Sequence, residues 1–302
     1  MIRGEGLNKK FGSFQAIDGL NIHVGKGNVY GLVGPNGAGK TTLIKMLNGI
    51  FRPDSGSISI DGQAVWENEK LKKRMIYVSD DLYYFSMATI KDLAQFYAGI
   101  YPHWNSRRYE RLKEAFPIEE KRRLIRLSKG MQKQVAFWLG LCTMPEIMIL
   151  DEPVDGLDPV MRRQVWSLML QDVAEREMTV LVSSHNLREL EDVCDHVGIL
   201  NQGRMLLEKN LDEVKANIYK IQVAFAGDAE EAVQAISSKF QVLNKEVFGS
   251  VWRLIIKGRQ AQVVEAISEH QPLLLDWLPL TLEEVFIYEL GGEGYDVANI
   301  VL

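Results

Sequence analysis

Up to about residue 215, short runs of consecutive apolar residues alternate with stretches whose apolar positions recur at helical spacing. Val29-Tyr30-Gly31-Leu32-Val33, Ile147-Met148-Ile149-Leu150, Thr179-Val180-Leu181-Val182 and Val197-Gly198-Ile199-Leu200 are too short and too apolar for exposed helices. They predict buried strands, neighbours at the centre of a sheet that carries helices on its faces. Between roughly Thr89 and Met144 the pattern turns helical, with Phe96, Tyr97, Tyr101 and Trp104 among its aromatics, and predicts an inserted helical subdomain. After Asn210 the pattern changes again. Ile218 to Phe225 and Val251 to Ile256 read as strands, Asp228 to Phe240 and Gln260 to His270 as helices. With strands near Gln241 and Leu273 the order is βαββαβ, followed by a helix at Thr281 to Leu290. The expected division is residues 1–215 and 216–302.

Bulk properties narrow the classes. A chain of 302 residues, 46% of them apolar, buries a substantial core and favours two domains. A net charge of −5 gives no basic face for phosphodiester backbones, so nucleic acid is not an expected partner. The start, Met1-Ile2-Arg3-Gly4-Glu5, lacks an apolar signal segment, and no apolar run approaches the ~18 residues that span a bilayer. A cytoplasmic chain that does not cross a membrane by itself is expected. Cys142 and Cys194 lie in apolar helical patterns without metal-ligand spacing and read as small buried hydrophobes.

Gly34-Pro35-Asn36-Gly37-Ala38-Gly39-Lys40-Thr41 fits the P-loop pattern between a strand and the helix-like Thr42 to Asn48. Such glycines let backbone N–H groups turn inward, and the following helix directs its positive end at the same anion. Lys40 then faces the outer phosphates of a nucleotide, and the Thr41 hydroxyl suits Mg2+. Downstream, Asp151-Glu152-Pro153 follows an apolar run, so both acids emerge at the carboxyl end of a buried strand, where open α/β sheets bind ligands. Asp151 suits a metal's water shell, and Glu152 suits orienting and deprotonating an attacking water.

Leu127-Ser128-Lys129-Gly130-Met131 opens a helical pattern before Asp151, Gly156-Leu157-Asp158 follows the acids, and His185 ends the Thr179 strand. These motifs in this order resemble the ABC ATPase family over residues 2 to about 215, in the manner of subunits serving small bacterial export systems of the acetoin-utilisation and antibiotic-responsive type. The resemblance implies an α/β P-loop cassette with a RecA-like core, an antiparallel β subdomain and a helical subdomain, here with a small C-terminal α+β domain. It implies ATP and Mg2+ as ligands and ATP hydrolysis coupled to transport. Phe11 matches the aromatic that stacks on adenine; Gly34, Pro35, Asn36, Gly37, Ala38, Gly39, Lys40, Thr41 and Thr42 match the phosphate cradle. Thr41, Asp151 and Asp80 match the metal positions, Glu152 the catalytic base, and His185 the residue between γ-phosphate and base. Ser128 and Gly130 match signature positions that touch the γ-phosphate held by a facing subunit, and Asp158 the loop that communicates across the pair.

The same resemblance implies a second ATP-binding subunit, as homodimer or related heterodimer, and an integral membrane permease on whose inner face the chain sits. Tyr83-Tyr84-Phe85 falls where the family receives that permease. Two departures stand out. Ser79-Asp80-Asp81 replaces the usual glutamine after the Met75-Ile76-Tyr77-Val78 strand, exchanging an amide donor for negative charge. Lys129 and Met131 replace the commoner glycine and glutamine of the signature. The basic run Lys121, Arg122, Arg123 and Arg126 reads as a solvated helix face paired with Glu119 and Glu120. An alternative reading is a nucleotide-dependent regulator whose C-terminal domain senses a small ligand.

Overall fold

Two strands open the chain, β1 (Ile2–Phe11) and β2 (Phe14–Val24), followed by β3 (Val29–Val33), helix α1 (Lys40–Leu47), β4 (Ser55–Ile60), β5 (Gln63–Ala64), the short α2 (Glu69–Lys72) and β6 (Met75–Val78). This is a computed structural model, and it describes residues 1–82, 84–211, 213 and 217–291. Helices α3 (Ile90–Ile100), α4 (Ser106–Leu112) and α5 (Lys129–Cys142) come next, then β7 (Ile147–Asp151), α6 (Pro159–Arg176), β8 (Thr179–Ser184), β9 (His196–Asn201) and β10 (Arg204–Asn210). The chain divides into two units, Met1–Lys209 and Asn210–Leu302.

In the first unit β10, β9, β3, β8, β7 and β6 form one sheet in that order, with parallel pairing from β9 through β6. The four apolar runs singled out by pattern are therefore consecutive neighbours, each buried along its length because both sheet faces are covered. Strands β2, β1, β4 and β5 make a separate antiparallel sheet. Ile2, Leu7, Ile17, Leu20 and Ile22 from that sheet share a core with Leu43, Ile44 and Leu47 of α1 and with Leu32, Ile147, Ile149 and Leu181 of the central sheet. Burying each such side chain contributes about 1.5–3 kcal/mol, which fixes α1 between two sheets. Across the central sheet α5 packs closely: a Cβ on Gly140 would meet Met148 and Ile76 at 3.4 and 3.5 Å.

Local chemistry sets where the helices begin. Thr89 and Asp92 form a capping box at α3, the Ser128 hydroxyl accepts from the Met131 N–H at α5, and the Asp158 carboxylate accepts from Val160 and Met161 ahead of Pro159 at α6. The basic run departs from the expected helix face. Lys121 lies in a turn, Arg122 in a bend, Arg123 bridges Thr89, Leu124–Arg126 is a 3-10 turn, and Glu120 is taken by Lys113 at 3.0 Å and by the Tyr109 hydroxyl.

The second unit contains β11 (Ile218–Phe225), α7 (Ala229–Lys239), β12 (Gln241–Phe248), β13 (Val251–Lys257), α8 (Gln260–Ser268), β14 (Pro272–Leu278) and α9 (Leu282–Gly291). Its antiparallel sheet runs β12-β13-β11-β14, the split βαβ arrangement that the order βαββαβ implies. Ile221, Val223, Leu254 and Ile256 of the sheet pack with Val233 and Ile236 of α7 and with Val263 and Ile267 of α8. Among the described residues no helix is long and apolar enough to cross a membrane.

Candidate functional site

The loop between β3 and α1 ends at Gly39, whose φ of 108° only glycine adopts readily, and no side chain caps α1. A Cβ there would lie 2.7 Å from the Ala16 carbonyl oxygen, so backbone and β2 approach too closely for any other residue. The first-turn N–H groups of α1 are thereby left for an anion, with the helix dipole behind them. Around them lies a cleft of about 290 Å³ lined by Phe14, Ala16, Pro35, Asn36, Gly37, Ala38, Gly39, Lys40, Thr41, Thr42, Asp80 and Glu152.

Lys40 is buried in this cleft. Its ammonium donates to the Gly34 carbonyl at 2.6 Å and pairs with Glu152 Oε1 at 3.2 Å. Glu152 stands just past the end of β7 with a φ of 45°, a left-handed conformation that costs a non-glycine residue of the order of 1–3 kcal/mol. Its backbone N–H donates to the Ser183 hydroxyl at 3.1 Å, and its Oε2 lies 3.0 Å from His185 Nδ1 and 3.2 Å from the His185 backbone nitrogen. Asp155 Oδ2 is 4.0 Å from the same ring nitrogen. The end of β8 thus supplies both the hydroxyl that sets the Glu152 backbone and the imidazole that sets its carboxylate.

Asp151 is buried at 1% exposure. Burial holds its carboxyl above the usual carboxylate range; hydrogen bonds from the Ser183 hydroxyl (2.7 Å) and from Thr41 oppose the shift, while the charges of Glu152 and Asp80 reinforce it. Three carboxylates therefore crowd one end of the cleft. Lys133 of α5 enters this group: its buried ammonium lies 3.0 Å from Asp80 Oδ1 and donates to the Glu152 carbonyl at 2.6 Å.

Lys40, Thr41, Thr42, Asp80, Asp151, Glu152 and His185 come together at the carboxyl ends of the central strands. Gly34, Asp151 and His185 lie outside the cleft lining but bond to it through Lys40, Thr41 and Glu152, whereas Phe11, Ser128, Gly130 and Asp158 are, among the described residues, absent from that lining. Phe11 packs edge-on against Phe51 at 5.4 Å, and Phe14, its partner across the β1–β2 hairpin, forms the cleft wall instead. Gly130 has a local reason for being glycine, since a Cβ there would lie 2.6 Å from the Gly156 carbonyl oxygen. Of the aromatics expected to receive a membrane subunit, Tyr83 lies outside the described residues, the Tyr84 hydroxyl donates to the Gln132 carbonyl at 3.2 Å, and Phe85 is exposed. Lys133, Ser183 and Phe14 were not singled out by motif. Lys133 left a signal, a charge in line with Phe137 and Leu141 at four-residue spacing on a buried helix face.

Known proteins agree with this arrangement. The ABC transporter family profile matches residues 17–155. The ABC transporter ATP-binding protein YtrB of Bacillus subtilis (strain 168) is 32% identical over 293 residues, covering 97% of this chain and 99% of that protein. Bacitracin transport ATP-binding protein BcrA of Bacillus licheniformis is 31% identical over 302 residues, covering 97% of this chain and 98% of that protein. Among solved structures, an ATP binding subunit of an ABC transporter superposes with a TM-score of 0.66 at 26% identity, covering 71% of this chain and 92% of that one. Relatives matched along almost their whole length, and a phosphate cleft with its lysine, acids and histidine gathered at the carboxyl ends of the central strands, lead to one conclusion: the chain belongs to the ABC transporter family, as an ATP-binding subunit that hydrolyses ATP.

Proposed function

We propose that two copies of this chain, or this chain and a close relative, close around two ATP molecules and that this motion drives an integral membrane permease on whose inner face the chain sits. The observation that carries the reading is the division of the family's nucleotide residues. Lys40, Thr41, Thr42, Asp80 and Glu152 line one cleft, whereas Ser128, Gly130 and Asp158 are absent from its lining among the described residues. Ser128 is exposed where α5 begins, so a facing chain's γ-phosphate fits against that helix end.

At each cleft Gly34, Pro35, Asn36, Gly37, Ala38 and Gly39 wrap the phosphates, and Phe11, exposed beside the Phe14 that walls the cleft, stacks on the adenine from outside the lining. Thr41 and Asp151 offer the hard oxygen donors that suit Mg2+, and a carboxyl whose charged form is disfavoured by burial gains from a divalent cation. Bound there, Mg2+ would offset phosphate charge; the Asp80 carboxylate, in the same lining, is paired with Lys133. Lys40 exchanges the Glu152 carboxylate for the outer phosphates, which frees Glu152 to act. Glu152 then takes a proton from the water attacking the γ-phosphorus, and the bond to the bridging oxygen breaks to leave ADP and phosphate. His185 holds the acid from its Nδ1 side and reaches the same phosphate. The C-terminal residues 216–302 serve as an accessory domain that steadies the pair.

Glu152→Gln tests the reading. ATP affinity should stay within about threefold while turnover falls about 10²-fold or more, and light scattering should find paired chains in Mg-ATP. Normal turnover, or a variant that stays single both alone and with its co-purified membrane partner, overturns it.

A further inference from the structure

Behind the cleft, bonded to two residues of its lining, lies a buried charge that the roles above leave unused. Lys133 is 4% exposed, on a helix face otherwise built from Phe137 and Leu141, and burying an ammonium there is unfavourable unless it is fully partnered. Its partners come from two different strand ends. One is Asp80 Oδ1 at 3.0 Å, beyond β6; the other is the carbonyl of Glu152 at 2.6 Å, beyond β7. Asp80, itself exposed, lines the phosphate cleft with the reactive Glu152, and its charge is felt by the buried Asp151 next to it. A carboxylate in that lining repels a polyphosphate bound there unless a cation neutralises it. The Glu152 peptide also needs an anchor, because its φ of 45° is strained and a loose peptide lets the carboxylate drift.

We propose that Lys133 is a positioning residue that does two separable things: it neutralises Asp80 so that the cleft accepts triphosphate, and it clamps the Glu152 peptide so that the base points at the attacking water. Only the second of these rests on the hydrolytic reading of Glu152. Because Lys133 belongs to the helix that Ser128 opens, the clamp also ties the start of that helix to the base.

The test uses the full-length chain carrying Lys133→Met, Asp80→Asn, or both, read by equilibrium binding of a fluorescent ATP analogue and by steady-state turnover. Lys133→Met should weaken analogue binding about tenfold, and adding Asp80→Asn should restore it to within about threefold of the parent, since the unpaired carboxylate is then gone. Turnover should fall about tenfold in Lys133→Met and stay low in the double variant, where the peptide clamp is still missing. A general packing defect does not predict affinity rescued without rate. Lys133→Gln gives the same separation if Lys133→Met fails to fold: the amide still donates, so the rate loss shrinks while the affinity loss remains. Affinity that Asp80→Asn fails to rescue, or unchanged turnover in Lys133→Met, overturns the proposal. The binding arm stands apart from hydrolysis, so a failure of Glu152 as base would leave it readable.

Discussion

Asp151 illustrates how one residue's environment ties stability to ligand. Its folded-state carboxyl titrates above the ordinary range because burial disfavours its charge. The folded chain therefore holds this proton more tightly than the unfolded chain. Below the ordinary carboxylate pKa both forms are protonated and nothing is lost; as pH rises through the window up to the raised value, the unfolded chain sheds its proton first and stability falls. Asp151→Asn should remove this penalty, raising the nucleotide-free melting temperature at neutral pH by about 2–4 °C and flattening its pH dependence above about pH 4. The same variant should lose Mg-dependent turnover by about 10²-fold or more. A variant that melts lower than the parent at neutral pH counts against burial as the dominant effect. The residue types at the cleft were legible from motif and spacing. Their pairings were not, because the Lys40–Glu152 and Glu152–His185 contacts join separate strand ends.

At the scale of elements, helix α1 is held by packing rather than by a cap. Leu43, Ile44 and Leu47 are fully buried between two sheets, and the residue before the helix carries no capping side chain. Leaving that end uncapped forgoes about 1 kcal/mol of helix stabilisation and keeps its N–H groups available to phosphate. Gly39→Ala should therefore damage both fold and site: a left-handed φ and a contact with the Ala16 carbonyl should lower stability by ~2 kcal/mol or more and weaken ATP binding at least tenfold. Wild-type binding of the fluorescent analogue by that variant would show the glycine to be dispensable. Elements of uniform pattern were readable in advance, including the four central strands and all seven elements of the second unit from β11 to α9. Strands β1 and β2 were expected only through the family resemblance, since their mixed burial, broken by irregular register between Gly4 and Lys10, blurs the two-residue period.

On the scale of the molecule, every residue that lines the phosphate cleft belongs to the unit Met1–Lys209. That unit, expressed by itself, should bind the ATP analogue within about threefold of the full chain, because its core and its cleft are drawn from its own elements. Loss of binding on removing residues 210–302 would assign the second unit a part in forming the cleft. The sequence by itself determined the family and the order of its motifs along the chain, and it nominated the phosphate, base and metal positions, because these depend on residue type and local spacing, and those are written in order. The tertiary structure alone decided that Lys133 meets Asp80 and the Glu152 peptide, that Ser183 sets Asp151, and that Phe14 rather than Phe11 walls the cleft. Those contacts join residues up to 53 positions apart, and a parallel sheet brings its strand ends together through crossovers whose lengths leave no periodic trace in the chain.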